Sequence, residues 1–345
     1  MKQSPVLLSI IIVSYNTREL LEQCINSIVK SREINSPSAR ETKKFARLRS
    51  RNWEIIVVDN NSADGTREYL SNIALEQYGD IDKKRKQSKR LNVYKANANE
   101  RSIPLKVIFN NQNLGFAKAN NIGIKESRGK YLLFLNPDTI VLPETLPFML
   151  EFMKKNPAVG VATCRVELVD GKLDEACHRG FPTPWNAFCH FSGLEKLFPH
   201  SQLFAGYYLG YLDLNTTHEI DSGVGAFMLV PRLVGEKIGW WDEDYFWYGE
   251  DIDFCYRVKK AGFKVMFVPK VKIIHYKGAS SGIKKTKSKA DFKTREKAML
   301  ASTQAMRIFY QKHYRGKYPK PIGKLVFWGI NLLEKARVGK IKREA

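Results

Sequence analysis

The sequence has 345 residues and a hydrophobic fraction of 43%, which is enough for a buried core and excludes a chain that is disordered throughout. Its five cysteines are odd in number, widely scattered and without a CxxC spacing, so neither a disulfide framework nor a zinc site is indicated and a cytoplasmic setting is expected. The formal net charge of +22 favours contact with an anionic partner.

The first half of the sequence alternates apolar runs with amphipathic segments, which predicts parallel strands joined by helices. The predicted elements, in chain order, are strand 7–14, helix 17–30, strand 54–59, helix 64–73, strand 106–110, helix 116–127 and strand 131–135. The apolar run at 6–13 is too short to span a bilayer and has no small-residue cleavage site, so we expect a strand there rather than a signal segment. Further strands are predicted at 160–168, 220–230 and 264–268, whereas 172–217 has no clear pattern.

Two polar stretches, at about 31–52 and 79–101, interrupt this pattern and are predicted to be surface insertions. The second contains the basic run KKRKQSKR at 83–90. The C-terminal region is basic too: from Lys277 onward there are 19 Lys and Arg but 4 Asp and Glu, a net charge of +15. Residues 321–339 are apolar and aromatic between cationic ends, which predicts a helix lying on an anionic membrane surface, with nucleic-acid binding and plain solubility as alternatives.

Polar residues follow the first two predicted strands. Strand one ends in Ser14, Tyr15 and Asn16, and strand two ends in Asp59 and Asn60. Ligands of open parallel sheets bind at the carboxyl ends of strands, so these two clusters point to one nucleotide-binding crevice. Alternatively, these residue types simply form turns and helix caps.

Carboxylates at two later positions suggest catalysis. Asp138 is the last residue of the string NPD, which directly follows the apolar strand YLLFL. It is expected to bind a divalent metal that stabilises a leaving diphosphate, although a lone NPD is more often a turn. Glu250 and Asp251 begin a predicted helix behind an aromatic segment. Acids in a first helical turn are stabilised by the helix dipole, and one of them is the expected general base.

Six strings in order, SIIIVSYN, EIIVVDNNSADGT, NQNLGFAKANNIGI, GKYLLFLNPD, GAFMLVPR and FWYGEDIDFCYRVKKAGFKV, resemble family 2 of the inverting glycosyltransferases. Within that family the chain is similar to the rhamnosyltransferase-like branch of cell-surface polysaccharide synthesis. The resemblance implies an α/β fold of the GT-A (Rossmann-like) type, a mixed, mostly parallel sheet flanked by helices, over residues 1–282. A basic helical tail is then expected over 283–345.

The resemblance also implies roles for individual residues. The nucleotide-sugar contacts that it implies are Ser14, Tyr15, Asn16, Asp59, Asn60, Asn113, Gly115, Asn120, Asn121 and Asn136. Asp138 corresponds to the last residue of the family's DxD metal motif, whose first carboxylate is missing here, and His275 lies where relatives supply a metal-ligating histidine for Mg²⁺ or Mn²⁺. Asp251 resembles the catalytic base, with Glu250 as the reserve candidate.

The expected activity is therefore transfer of a sugar, rhamnose by branch resemblance, from a nucleoside diphosphate to a glycan or lipid-linked acceptor at the inner face of the cell membrane. A dinucleotide-dependent oxidoreductase is disfavoured because the turn SYNTREL lacks the GxGxxG glycines. Nucleic acid is not an expected partner, since such binding leaves the ordered acidic motifs unexplained. A non-catalytic sugar-binding protein is the remaining alternative.

Overall fold

The computed structural model describes residues 5–33, 52–76, 92–95, 103–277 and 292–344. Within them the strands are β1 (Leu8–Ser14), β2 (Trp53–Asp59), β3 (Asn92–Lys95), β4 (Leu105–Phe109), β5 (Tyr131–Leu135), β6 (Thr139–Val141), β7 (Val159–Leu168), β8 (His218–Ile220), β9 (Phe227–Pro231) and β10 (Lys264–His275). The helices are α1 (Arg18–Glu33), α2 (Thr66–Glu76), α3 (Phe116–Glu126), α4 (Thr145–Lys155), α5 (Pro184–Ser192), α6 (Leu194–Leu197), α7 (Arg232–Ile238), α8 (Glu250–Lys260), α9 (Phe292–Phe309) and α10 (Lys320–Glu344). A 3₁₀ turn lies at Glu175–Cys177 and a π-helical turn at Tyr310–Tyr314.

All the described strands belong to one sheet with the order β3-β4-β2-β1-β5-β9-β7-β10-β6, and β8 pairs with β10. The four central strands β4, β2, β1 and β5 are parallel. Beyond them β9 is antiparallel to β5, whereas β7 and β10 are parallel to each other. The predicted α/β class with a mixed sheet flanked by helices is confirmed.

The core lies around β1 and β2, every residue of which is buried. Strands that are covered on both faces have continuous apolar runs rather than an alternating pattern, as the sequences LSIIIVS and WEIIVVD have. Helix α3 packs against both strands at Gly123, where a Cβ atom would lie 2.7 Å from the Ile11 side chain. This close packing fixes where α3, and the loop before it, meet the sheet.

The later part of the chain differs from the predicted elements. The predicted strand 220–230 is two strands, β8 and β9, and between them Ser222 forms an isolated bridge with Arg179. The last predicted strand, 264–268, continues to His275 as β10. The predicted insertion at 79–101 includes β3, which pairs antiparallel with β4. The basic run at 83–90 and the predicted boundary between 282 and 283 lie outside the described residues.

The C-terminal helices pack onto the sheet domain through an aromatic cluster. Phe309, Tyr310 and Tyr314 are buried, with the Phe309 ring 5.6 Å from that of Tyr256 on α8 and the Tyr310 ring 5.5 Å from that of Phe327 on α10. The contact between Tyr310 and Phe327 thus holds helix α10 against the domain. Among the residues that the structure describes, no helix combines the length and the apolar character needed to cross a membrane.

Candidate active site

A large cavity opens at the carboxyl ends of the parallel strands, with a volume of about 1430 Å³. Its walls come from segments far apart in the sequence: Asn60 follows β2, Asp138 follows β5, and Asp251 lies in the first turn of α8. Asn136 lines the same wall as Asp138. The structure thus brings candidate nucleotide, metal and acid residues to one cleft, at the edge of the sheet where ligands of α/β proteins bind.

The loops after β1 and β2 are tied together. Asn16 Oδ1 accepts a hydrogen bond from the amide of Ala63 (2.8 Å), and the Asn16 amide donates to Ser62 Oγ (2.9 Å). Asn16 has a φ of 52°, in the left-handed region that Asn tolerates better than most residues. Ser14 is fully buried, whereas Tyr15 lines the cavity. Of these three residues, Tyr15 faces the space where a ligand would lie, and the others support the loop.

Asp59 lies behind the cavity wall, fully buried at the end of β2. Its Oδ2 accepts from the Ser62 amide (3.2 Å) and lies 3.8 Å from Arg67 Nη1. Its Oδ1 has no hydrogen-bond partner among the described residues. Burial raises the pKa of this carboxyl, against the opposing effect of Ser62 and Arg67.

Asn60 organises the loop at 110–115. Its Nδ2 donates to Asn113 Oδ1 (2.9 Å) and to the carbonyl of Gly115 (3.2 Å). Its Oδ1 accepts from Asn110 Nδ2 and from the Leu114 amide, both at 3.0 Å. Both ends of this amide are thus satisfied by the protein, which fixes the position of Asn113 and Gly115 in the cavity wall.

Gly115 has a structural reason to be glycine. Its φ is 82°, and a Cβ atom there would lie 2.5 Å from the carbonyl oxygen of Phe246. That same carbonyl accepts a hydrogen bond from the Phe116 amide (3.2 Å). The contact holds the aromatic segment that contains Trp247 and Tyr248 against the cavity.

Asn120 and Asn121 are not in the cavity wall. Asn120 is buried, and its Nδ2 donates to the carbonyl of Phe116 within α3. Asn121 Nδ2 donates to the carbonyl of Trp241 (2.9 Å) and to Glu243 Oε1 (3.0 Å), and its Oδ1 accepts from the Trp241 amide (3.2 Å). In this structure Asn121 anchors the start of the aromatic segment.

Asp138 and His275 face each other beside the cavity. His275 Nε2 lies 3.3 Å from Asp138 Oδ1, and His275 Nδ1 lies 3.0 Å from Asp174 Oδ2. Lys277 pairs with the other oxygen of Asp174. Burial lowers the pKa of His275, but the two carboxylates outweigh it and raise that pKa to about 9. With no cation bound, the imidazolium therefore bridges two carboxylates.

This pair fits a divalent metal in its atoms and spacing. Two ligands at right angles and about 2.1 Å from a metal ion are about 3 Å apart, close to the separation of Asp138 Oδ1 and His275 Nε2. Asp174 orients the imidazole through its other nitrogen, as carboxylates do for metal-binding histidines. No cluster of three His, Cys, Asp or Glu side chains suited to a metal occurs in the described ranges. Asp138 and His275 are thus two candidate ligands within the described ranges, and a substrate would have to supply others.

Asp251 is fixed by two hydrogen bonds at the edge of the cavity. Its Oδ2 accepts from Arg179 Nη2 (2.7 Å), and its Oδ1 accepts from the Ile252 amide (2.8 Å). Burial lowers the pKa of Arg179, but the Asp251 carboxylate outweighs burial and raises it, so the guanidinium stays charged. Arg179 Nη2 also donates to the carbonyl of Gly223 (2.6 Å).

Glu250 has a different environment. It is 8% exposed, and its Oε2 has no hydrogen-bond partner among the described residues. Burial, followed by the neighbouring charge of Asp251, raises the pKa of Glu250 to about 8. Glu250 is thus mostly protonated at neutral pH, whereas Asp251 is held in a salt bridge.

Sequence reasoning missed Arg179 and Asp174. Both come from the region 172–217, which has no clear periodicity, and both are buried with their charged groups turned toward residues of the cleft. A buried Arg or Asp needs a partner of opposite charge, but the sequence does not reveal which carboxylate or histidine lies nearby. A charged residue within an aromatic and Gly-rich stretch was the available signal.

Comparisons with known proteins agree with this architecture. The family model described as "Glycosyl transferase family 2" matches residues 9–100 and 91–213. The chain is 28% identical to the rhamnosyltransferase WbbL of Escherichia coli over 171 residues, which are 47% of this chain and 61% of that protein. It is 26% identical to the N-acetylglucosaminyl-diphospho-decaprenol L-rhamnosyltransferase of Mycobacterium tuberculosis over 44% of this chain and 48% of that protein.

The fold is also similar to that of a solved glycosyltransferase. The crystal structure of GalNAc-T7 with UDP, GalNAc and Mn²⁺ superposes with a TM-score of 0.50 and 16% identity, covering 79% of this chain and 44% of that one. The alignments thus span less than two thirds of the length of each of these proteins. The family model matches more than half of the sequence, including β2, β5 and Asp138, so the chain belongs to glycosyl transferase family 2.

Proposed function

We propose that the protein is an inverting glycosyltransferase that moves a sugar from a nucleoside diphosphate to an acceptor hydroxyl. The observation that carries this proposal is that Asn60, Asp138 and Asp251 line the same cavity. Candidate nucleotide contacts, a candidate metal-binding pair and a fixed carboxylate line this one cavity, which supports the proposal. A purely structural role for these residues would not require them to face one cleft.

Asp251 is the proposed base. Its carboxylate takes the proton of the acceptor hydroxyl as the oxygen attacks the anomeric carbon and the bond to the diphosphate breaks. Attack opposite to the leaving group inverts that carbon. The salt bridge to Arg179 orients the carboxylate and leaves less freedom for unproductive rotamers. Glu250 serves this role less well, because a carboxyl with a pKa of about 8 is mostly protonated at neutral pH.

Asp138 and His275 are the proposed ligands of Mg²⁺ or Mn²⁺. A divalent ion bound there supplies positive charge to the departing diphosphate. Asp174 holds the imidazole with Nε2 toward Asp138, and Lys277 stays beside Asp174. The presence of Mn²⁺ and UDP in the similar GalNAc-T7 structure supports this assignment.

The nucleoside is proposed to lie against the ends of β1 and β2. Tyr15, Asn113 and Asn136 face the cavity there, and Asp59, whose Oδ1 has no hydrogen-bond partner among the described residues, lies behind this wall. Two similar proteins are named as rhamnosyltransferases, which supports rhamnose as the transferred sugar. The proposed acceptor is a glycan or lipid-linked saccharide used in cell-surface polysaccharide synthesis.

We further propose that the protein works at the inner face of the cell membrane as a peripheral protein. Basic residues surround the apolar segment of α10, and each cation near an anionic lipid surface adds about 1 kcal/mol to binding. The anionic partner that this charge requires is then the membrane rather than a nucleic acid.

The decisive experiment compares wild type with Asp251→Asn. A panel of nucleotide sugars with Mn²⁺ first identifies the donor by thermal stabilisation. Asp251→Asn is expected to keep this stabilisation and to lose transfer by about three orders of magnitude or more, since the base acts only in the chemical step. Turnover close to wild type in that variant would reject the base. Donor binding with no transfer in the wild type would favour the non-catalytic sugar-binding alternative.

A further inference from the structure

The cavity extends well beyond the proposed catalytic groups, and the inference drawn from this extension rests on the proposed function. Its volume of about 1430 Å³ exceeds the roughly 300–1,000 Å³ of a pocket for one small ligand. One part of its lining comes from α5 and α10. We call this part the apolar groove and define it by six lining side chains, Trp185, Phe188, Phe191, Leu325, Trp328 and Leu332.

These six side chains are unusually exposed for large apolar groups. Their exposed fractions range from 45% for Trp185 to 65% for Leu325 and Trp328. Each apolar Å² left in water forgoes about 25 cal/mol of stabilisation. A contiguous apolar surface of this kind in a soluble domain is typical of a binding site.

Helix α10 has two apolar faces, and only one of them packs onto the protein. On the packed face, Phe327 contacts Tyr310, and Ile330 is buried although it also lines the cavity. Leu325, Trp328 and Leu332 follow the i, i+3, i+7 spacing of a second stripe that lines the groove.

The orientation of this stripe is fixed by polar contacts to α9. Glu334 Oε2 accepts from Thr303 Oγ1 (2.6 Å) and from Arg307 Nη1 (2.7 Å). Arg337 Nη1 donates to Ser302 Oγ (2.9 Å). The helix therefore cannot turn its second apolar stripe inward without breaking these bonds.

A cation accompanies the apolar side chains. Arg337 also lines the cavity, and Glu334 on the same helix pairs with Arg307 instead. Its guanidinium could pair with an anionic group of a ligand, whereas Trp328 and Leu332, one to three turns earlier on the same helix, contact a hydrocarbon. A ligand that satisfies both features is an amphiphile with an anionic head.

We propose that the apolar groove binds the hydrocarbon chain of a lipid-linked acceptor, a saccharide joined through phosphate to a long apolar chain. The groove and the proposed base Asp251 line one continuous cavity, so a chain seated between α5 and α10 places the attached sugar toward that carboxylate. A flat membrane contact would not require the exposed aromatic side chains to continue into the catalytic cleft. The groove thus selects the acceptor by its lipid part.

The first test measures binding without donor, detergent or vesicles, through the intrinsic tryptophan fluorescence of the full chain. Farnesyl diphosphate is expected to bind at least about ten times more tightly than inorganic diphosphate. Leu325→Ser and Trp328→Ser are each expected to weaken farnesyl diphosphate binding about tenfold, with calorimetry replacing fluorescence for the second variant. Leu233→Ser is the matched control, because Leu233 is 73% exposed on α7 and does not line the cavity. Equal binding of both probes, or an equal loss in the control, would overturn the proposal.

The second test separates this inference from the proposed function. Acceptors with the same saccharide diphosphate but a short or a long alkyl chain are compared in the transfer assay, and the long chain is expected to lower KM in the wild type but not in Leu325→Ser. A KM that does not depend on chain length would overturn the groove proposal and leave the proposed transferase function intact. Farnesyl diphosphate binding without transfer from any donor would support the groove and contradict the transferase function. Vesicle binding that Leu325→Ser abolishes, without farnesyl diphosphate binding in solution, would make the groove a membrane contact and refute the proposal.

Discussion

Replacing Glu250 by glutamine tests which of the two neighbouring acids is charged in the folded protein. Burial and the charge of Asp251 raise the pKa of Glu250 from 4.5 to about 8. Between these values the folded carboxyl keeps its proton, whereas the unfolded one releases it. The folded state therefore binds more protons, and the contribution of Glu250 to stability falls as pH rises from about 4.5 to about 8. Glutamine has nearly the same shape and no such titration.

The expected magnitude follows from this difference in protons bound. One proton bound by the folded state alone changes the free energy of unfolding by about 1.4 kcal/mol per pH unit. From pH 5.5 to pH 7.5, the variant should therefore gain up to about 3 kcal/mol relative to wild type. Both proteins share every other titrating group, so the comparison reports Glu250 together with its electrostatic coupling to Asp251.

Urea unfolding of wild type and Glu250→Gln at pH 5.5, 6.5 and 7.5 measures this gain. Glu236→Gln, at an exposed glutamate on α7, controls for the loss of a carboxyl as such. A stability difference between wild type and Glu250→Gln that stays constant with pH would show that Glu250 is ionised throughout and would refute the reasoning. The same variant should keep a large part of the transfer activity, because a protonated carboxyl is not the base.

Two further predictions concern the walls of the cleft. Gly115→Ala should lower the free energy of unfolding by about 2 kcal/mol or more, because of the left-handed φ and the contact with the Phe246 carbonyl. Gly171→Ala is the control and should lose less stability, since Gly171 has a φ of 80° but nothing within 4 Å of its Cβ. Equal losses in urea unfolding would contradict the steric argument. Asp174→Asn should raise the Mn²⁺ concentration for half-maximal donor binding about 10–100-fold, because Asp174 orients His275. Asp170→Asn is the control, since Asp170 is exposed and pairs with Lys172. An unchanged Mn²⁺ requirement in Asp174→Asn would show that Asp174 does not support the metal site.

The sequence was informative where one physical signal sufficed. Buried parallel strands need continuous apolar runs, so β1, β2, β4 and β5 were predictable to within one residue at each end. Acids at a helix start and polar residues at strand ends are local patterns as well, and Asn60, Asp138 and Asp251 do line one cleft. The irregular region at 172–217 gave no such signal, because its structure depends on partners distant in sequence.

Local sequence patterns did not predict the role of each individual polar side chain. Asn113 and Asn121 look alike in the string NQNLGFAKANNIGI, yet Asn113 lines the cavity and Asn121 anchors Trp241. Likewise, the second apolar stripe of α10 could be distinguished from the packed one only after Tyr310 had been placed against Phe327. Which face of a helix is buried is decided by the neighbour that covers it.

The sequence by itself thus determined the α/β class, the strand ends that carry the polar residues and the family, because these follow from periodicity and short motifs. Only the tertiary structure decided that Arg179 pairs with Asp251, that Asp174 orients His275 and that α5 and α10 extend the cleft. Charge pairing and burial act through space over a few ångströms, and residues separated by 72 or 101 positions meet only when the sheet has formed.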